Sequence, residues 1–231
     1  GENSTMILKV TLIGLLAGVL GTGAGGILSS IFRREVDRYL NFCMGLSGGI
    51  MLAVVVFDLM KESMDSSGVL FTVLFTFIGV LLTMFIKSRL DFTGEMQSGY
   101  LIFISILLHN LPEGLAIGSS FISAQTLGIT LAIVIGLHNI PEGLATALSL
   151  AGARVSTKKI ILFTFIAGIP MGIGSFLGVY FAGLFKSLIG LFLSLAAGTM
   201  LFVVLDEIMP KSKSLYSIIG FLTGTIIVYC I

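Results

Sequence analysis

The chain is 231 residues long, 56% hydrophobic and 11% charged, with a mean hydropathy of +1.10, where an ordinary soluble domain carries roughly 25% charged residues. A formal net charge of +1, with no basic face or stripe, excludes nucleic acid as a partner. The composition belongs in a lipid bilayer, as an integral membrane protein.

In chain order, apolar runs near 6–32, 39–61, 68–88, 99–122, 126–151, 160–184, 188–209 and 214–231 are each long enough for a membrane-spanning helix, which needs roughly 20 residues to cross about 30 Å of hydrocarbon. The expected fold is therefore an all-α polytopic membrane protein of eight transmembrane helices, one domain over 1–231 with no room for a soluble unit. No residue before Met6 resembles a signal peptide, and Gly1 to Thr5 read as a cloning remnant. Cys43 and Cys230 lie far apart inside apolar runs, without metal-type spacing, and read as core thiols.

The connections carry the orientation. Arg33, Arg34 and Arg38, then Lys87 and Arg89, then Arg154, Lys158 and Lys159, then Lys211 and Lys213 all fall in odd-numbered connections. Ten of the thirteen Lys and Arg residues thus lie on one side, leaving Lys9, Lys61 and Lys186 on the other. Positive flanks stay cytoplasmic, so both termini are expected outside the cytoplasm. Glycines recur at small-xxx-small spacing, as in Gly14/Gly18, Gly21/Gly25, Gly45/Gly49, Gly168/Gly172, Gly174/Gly178 and Gly220/Gly224. Such spacing brings helices close in lipid, and it serves either tight packing or sliding.

Both histidines of the chain stand in one repeated phrase, His109-Asn110-Leu111-Pro112-Glu113-Gly114 and His138-Asn139-Ile140-Pro141-Glu142-Gly143, each in mid-span. Ionisable groups at that depth are expensive and mark function. Residues four apart share a helix face, so His109 stacks over Glu113 and His138 over Glu142. The prolines between them cannot donate a backbone hydrogen bond and free the carbonyls of Leu108 and Leu137, which predicts broken or kinked helices of the kind that line transporter sites. With a short turn near Ser123 to Gln125, the two phrases face each other as a two-His, two-Glu metal site between proline-kinked helices 4 and 5. Nitrogen and oxygen donors without thiolate suit zinc, iron(II) or manganese. Two carboxylates also cancel the charge of a divalent ion. Asn110 and Asn139, offset by one residue, either hold a freed carbonyl or join the site. Asp58 and Glu62 form either a cation-gathering mouth or a solvated helix end. Asp206 and Glu207, followed by Lys211 and Lys213, form either an exit relay or a pairing with lysine at the headgroups.

On these residues the chain resembles the ZIP family, the Zrt-, Irt-like metal-ion transporters, over essentially its whole length. The resemblance implies uptake of divalent transition metal into the cytoplasm, zinc foremost, with iron, manganese or cadmium as alternatives. The metal is then transported substrate, and no cofactor is implied. It further implies a primary site of His109, Glu113, His138 and Glu142, with Asn110 and Asn139 beside a second metal. The Asp206-Glu207-Ile208-Met209-Pro210 stretch is similar to the seventh-helix ending of bacterial members. The family also implies an elevator-like movement of the first, fourth, fifth and sixth helices, and a homodimer. Two departures stand out. Ile169 replaces a sixth-helix glutamate that precedes proline in binuclear members, so a second metal is expected to be weak or absent. The connection from Lys87 to Gln97 lacks the histidine-rich loop of many members.

Other classes fit less well. A channel or receptor with a structural metal shares the site, while an intramembrane metalloenzyme lacks the His-Glu-x-x-His pattern and the histidine count it would need. The protein is read as a transporter, not an enzyme, of a bacterial inner membrane.

Overall fold

The computed structural model describes residues 2–31, 36–89, 95–152, 154–185, 188–209 and 214–230, and among them every regular element is helical. Helix α1 (Glu2–Ile31) is followed by α2 (Val36–Ala53), which passes through a π-helical stretch (Val54–Leu59) into α3 (Met60–Ser67). Gly68, with φ +84°, caps α3 and turns the chain into α4 (Val69–Arg89). That left-handed conformation suits a residue without a Cβ. Helices α5 (Glu95–Ser123) and α6 (Gln125–Gly152) are joined through the single residue Ala124. Helix α7 (Thr157–Ala167) stops at Gly168 and resumes as α8 (Ile169–Leu184). Helix α9 (Leu188–Val203) ends in a second π stretch (Val204–Ile208), and α10 (Leu215–Cys230) closes the described chain.

Six described segments are long and apolar enough to cross a membrane: Asn3–Ile31, Asn41–Ser67, Val69–Arg89, Gln125–Leu148, Thr157–Leu184 and Leu188–Asp206. Their outer faces are as apolar as their interiors. On α4, Leu70, Val73, Leu74, Phe77, Leu81 and Phe85 are all exposed, a surface that water would not tolerate over such an area and that lipid covers without cost.

Two departures from the expected spans have local causes. The second run does not end at residue 61; the helix carries Lys61 and Glu62 onward to Ser67, because Ser63 is buried against the Thr72 hydroxyl and the Gly190 carbonyl, both at 2.9 Å. At Pro112 and Pro141, where broken or kinked helices are expected, no break occurs, since both prolines lie inside continuous helices, whereas the chain breaks at Gly168, just before Pro170. Neighbouring backbone supports α5 across Pro112, since Gly114 packs against the Met171 carbonyl and Gly174 against that of Leu111. A lost hydrogen bond is tolerated where protein covers the gap.

The helices sort into two packed groups. In the first, α1 lies against α6, α7 and α8, and α5 against α6 and α8; in the second, α2 lies against α10, and α9 against α3 and α4. The glycine pairs read from the sequence do close-approach work inside these groups. A Cβ on Gly18 would strike the Gly168 carbonyl, one on Gly25 that of Ile140, one on Gly45 that of Ser217 and one on Gly220 that of Phe42. Among the glycines whose surroundings are described, each such approach stays within its own group. Between the groups, α5 meets α9 and α2 meets α6. Side chains such as Met51, Leu59, Ile117, Ile135, Leu193 and Met200 fill the shared core.

Candidate metal centre

The α5–α6 hairpin positions the site. With one residue between them the two helices run antiparallel, so the repeated phrases meet side by side. Glu113, His138 and Glu142 each offer a ligand atom, and these three atoms lie within 4.8 Å of one another. His138 Nε2 is 2.9 Å from Glu113 Oε1 and 3.7 Å from Glu142 Oε1. Ligands about 2.0–2.2 Å from one first-row ion stand roughly 3.0–4.4 Å apart, so the pair distances already approach a coordination shell. The His109 backbone lies in α5, but its side chain lies outside the described residues.

Burial defines the electrostatics. Glu113 and His138 are fully buried and Glu142 is 5% exposed. Two carboxylates in so dry a place repel one another and carry a desolvation cost that only a positive charge between them offsets. Glu113 Oε2 has no hydrogen-bond partner among the described residues. From α2, the Ser47 hydroxyl donates to Glu142 Oε1 at 3.4 Å. A buried acceptor with no donor, beside a second carboxylate and an imidazole, fits a divalent cation.

Asn110 and Asn139 are buried with the cluster, each with its amide oxygen unpartnered among the described residues. Asn110 Nδ2 donates to the Ala167 carbonyl at 2.7 Å, and Asn139 Nδ2 approaches Met171 Sδ at 3.8 Å. Asn110 thus holds a carbonyl through its amide nitrogen, that of Ala167 on the neighbouring α7, and its oxygen is left without a donor among the described residues.

The outlying acids are placed differently. Glu62 accepts a hydrogen bond from the Ser123 hydroxyl, which links α3 to the end of α5. Asp58 is half-buried in the first π stretch. Asp206 pairs with Lys87, whose Nζ stands 5.8 Å from the centre of the Phe202 ring. Both members of that pair are close to half exposed. Glu207 lies in the second π stretch with its side chain outside the described residues, as are Arg33, Arg34, Lys186, Lys211 and Lys213. Ile169 is 43% exposed at the start of α8, while Met171, two residues on, is fully buried beside Asn139. Sequence reading missed Ser47 and Met171. Ser47 sits in the Gly45-Leu46-Ser47-Gly48-Gly49 run, where a lone hydroxyl in a close-packed stripe is the available signal.

Comparison with known proteins agrees with this chemistry. Residues 87–231 match the family described as ZIP Zinc transporter. The chain is 29% identical to the zinc transporter ZupT of Chlorobium chlorochromatii, over 96% of this chain and 95% of that protein. It is 30% identical to the zinc transporter ZIPB of Bordetella bronchiseptica, over 92% of this chain and 75% of that protein. A third match, 27% identical, is to the zinc transporter ZupT of Akkermansia muciniphila, where 54% of this chain spans 57% of the relative.

Proposed function

This chain belongs to the ZIP zinc transporter family, and on that premise we propose that it carries divalent transition-metal ions, zinc first, across its membrane into the cytoplasm by alternating access. The observation that carries the reading is the buried cluster of Glu113, His138 and Glu142. His109 completes the donor set. The metal is cargo, held while the site is closed to both sides and released when it opens inward.

Each part of the chain then has a role. The two carboxylates cancel the ion's charge in low dielectric, and His138 adds a nitrogen donor that favours zinc over calcium. Eight spans with both termini outside give the inward positive bias of the connections. The two helix groups supply the moving parts. Close glycine packing knits each group internally, while the boundary between them holds an apolar crevice of about 230 Å³. Leu111, Pro112 and Leu115 line it from the first group, and Leu82, Ala196 and Val203 from the second. A boundary of interlocked side chains and open space slides more readily than one of backbone against backbone. The working assembly is taken as the homodimer that the family resemblance implies, which native mass spectrometry in detergent tests.

The direct experiment is uptake of Zn2+ or Cd2+ into sealed proteoliposomes. The protein should admit metal at a saturable rate, and Glu113→Ala and Glu142→Ala should each lower uptake at least about tenfold, which is about 1.4 kcal/mol. Full uptake by either variant, present at wild-type levels, rejects the site. Unsaturable, channel-like flux rejects alternating access.

A further inference from the structure

The break between α7 and α8 has an internal cause. Pro170 carries no N–H, so the Ile166 carbonyl loses its helical donor. The Met171 N–H, which a continuous helix would direct to the Ala167 carbonyl, turns instead to Gly168 O at 3.2 Å, and the Gly168 N–H likewise reaches only three residues back, to Phe165 O at 3.2 Å. The Ala167 carbonyl is thereby released from helical pairing inside the bundle, and it accepts from Asn110 Nδ2 at 2.7 Å.

That contact dictates which way the amide faces. A carbonyl oxygen can only accept, so the end of Asn110 turned toward Ala167 must be its NH2 group, and the oxygen is turned away as a free acceptor. A thioether likewise accepts, so Met171 Sδ takes the NH2 end of Asn139 and leaves that oxygen free too. Both oxygens are buried with no donor among the described residues, which costs free energy unless a positive charge is nearby. Asn110 precedes Glu113 by three residues and Asn139 precedes Glu142 by three, so each oxygen shares a helix face with a site carboxylate. The break itself is clamped from behind, because Gly18 of α1 and Gly168 meet backbone to backbone.

We propose that the Gly168–Pro170 break is a positioning device for the ion: its Ala167 carbonyl and Met171 thioether hold the two asparagine amides by their nitrogens, so that two neutral oxygens face a divalent cation beside Glu113 and Glu142. The inference rests on the metal-site reading above and adds to it a role for Pro170, which touches no ligand atom of the ion. Neutral oxygens raise coordination number without adding charge, which suits hard and borderline divalent ions over monovalent copper.

The test is equilibrium Cd2+ titration of purified, detergent-solubilised protein, with metal-free thermal melting alongside. Pro170→Ala restores the N–H at that position and lets the Met171 N–H reclaim the Ala167 carbonyl. It should weaken Cd2+ binding about tenfold to a hundredfold, the usual cost of losing a group that orients a ligand, without lowering the metal-free Tm. Asn110→Ala should cost as much. The double variant should lose no more than either single one, since both act through the same oxygen. Unchanged affinity in Pro170→Ala, or losses that multiply in the double variant, overturns the proposal. If Pro170→Ala does not fold, Met171→Leu decides: the near-isosteric change should weaken binding in the native background and have no effect on Asn139→Ala, and an unchanged affinity in the native background overturns the tether. Glu113→Ala separates the two readings. Should it bind Cd2+ normally, the metal site itself is wrong; should it fail while Pro170→Ala and Met171→Leu bind normally, only the positioning role is wrong.

Discussion

Replacing Glu113 by glutamine isolates the part that charge plays in the site. The side chain is fully buried and its Oε1 lies 2.9 Å from His138 Nε2, so the amide keeps volume and contact while removing one negative charge. Stripping one member from a buried charged pair costs about 3–5 kcal/mol. With Glu142 still present the low end applies, and about 3 kcal/mol corresponds to roughly 150-fold in Kd. The metal-free protein responds differently, because one of two mutually repelling carboxylates has gone, and its Tm should hold or rise. At metal a hundred times the native Kd, binding stabilises the native protein by about 2.7 kcal/mol, and the variant by about 0.3 kcal/mol. For a chain of this size that is a rise in Tm of roughly 5–11 °C against about 1 °C. Differential scanning fluorimetry with and without Zn2+ or Cd2+ measures both quantities. A variant that keeps the full metal-induced rise would refute the reasoning, because Glu113 would then contribute no charge to the bound ion.

Three further outcomes follow from the same structure. Metal and protons compete for the imidazole nitrogen and the carboxylate oxygens, so apparent Cd2+ affinity should fall as pH drops from about 7.5 to about 5.5, and a flat titration series would remove His138 from the ligand set. Cysteines at Glu62 and Ser123, whose side chains bridge the two helix groups, should form a disulfide in a chain whose Cys43 and Cys230 are replaced; oxidation should then lower uptake at least about tenfold, reversibly on reduction, and unaltered uptake by the cross-linked protein would show that these groups need not part. Gly25→Ala drives a methyl into the Ile140 carbonyl and should destabilise the metal-free protein by about 1–3 kcal/mol, read as a lower Tm, whereas an unchanged Tm would mean that α1 and α6 are not closely packed.

What was legible in the sequence was whatever depends on short-range pattern. Apolar runs gave the helices, and the i, i+4 spacing of His138 and Glu142 put both on one face, where the structure has them 3.7 Å apart. The tight α5–α6 turn was equally readable, since Ser123 to Gln125 interrupts two long apolar stretches. Proline alone did not say where a helix would break. Pro112 is held by close backbone packing from α8, but Pro170 follows Gly168, where the chain has both a missing donor and a residue free to leave helical geometry. Contacts made across long sequence separations left no periodic trace. Ser47 meets Glu142 from 95 residues away, and Asn110 meets Ala167 from 57. No spacing rule links such partners, which only the packing of α2 and α7 against the hairpin brings together.

The single-residue link at Ala124 has an energetic corollary. Glu113, His138 and Glu142 all belong to one hairpin whose halves are joined through a single residue, so under the alternating access proposed above a rigid-body movement of the hairpin would carry the whole ligand set with it. On that proposal, and apart from Ser47, which approaches from the other group, the ion would meet the same donors at either opening. Such a carrier has no built-in direction. Net flow through a carrier of that kind would follow the electrochemical gradient, and for a divalent ion the membrane potential supplies about 4.6 kcal/mol per 100 mV, inside negative. That is enough to concentrate metal more than a thousandfold with no second ion and no nucleotide hydrolysis.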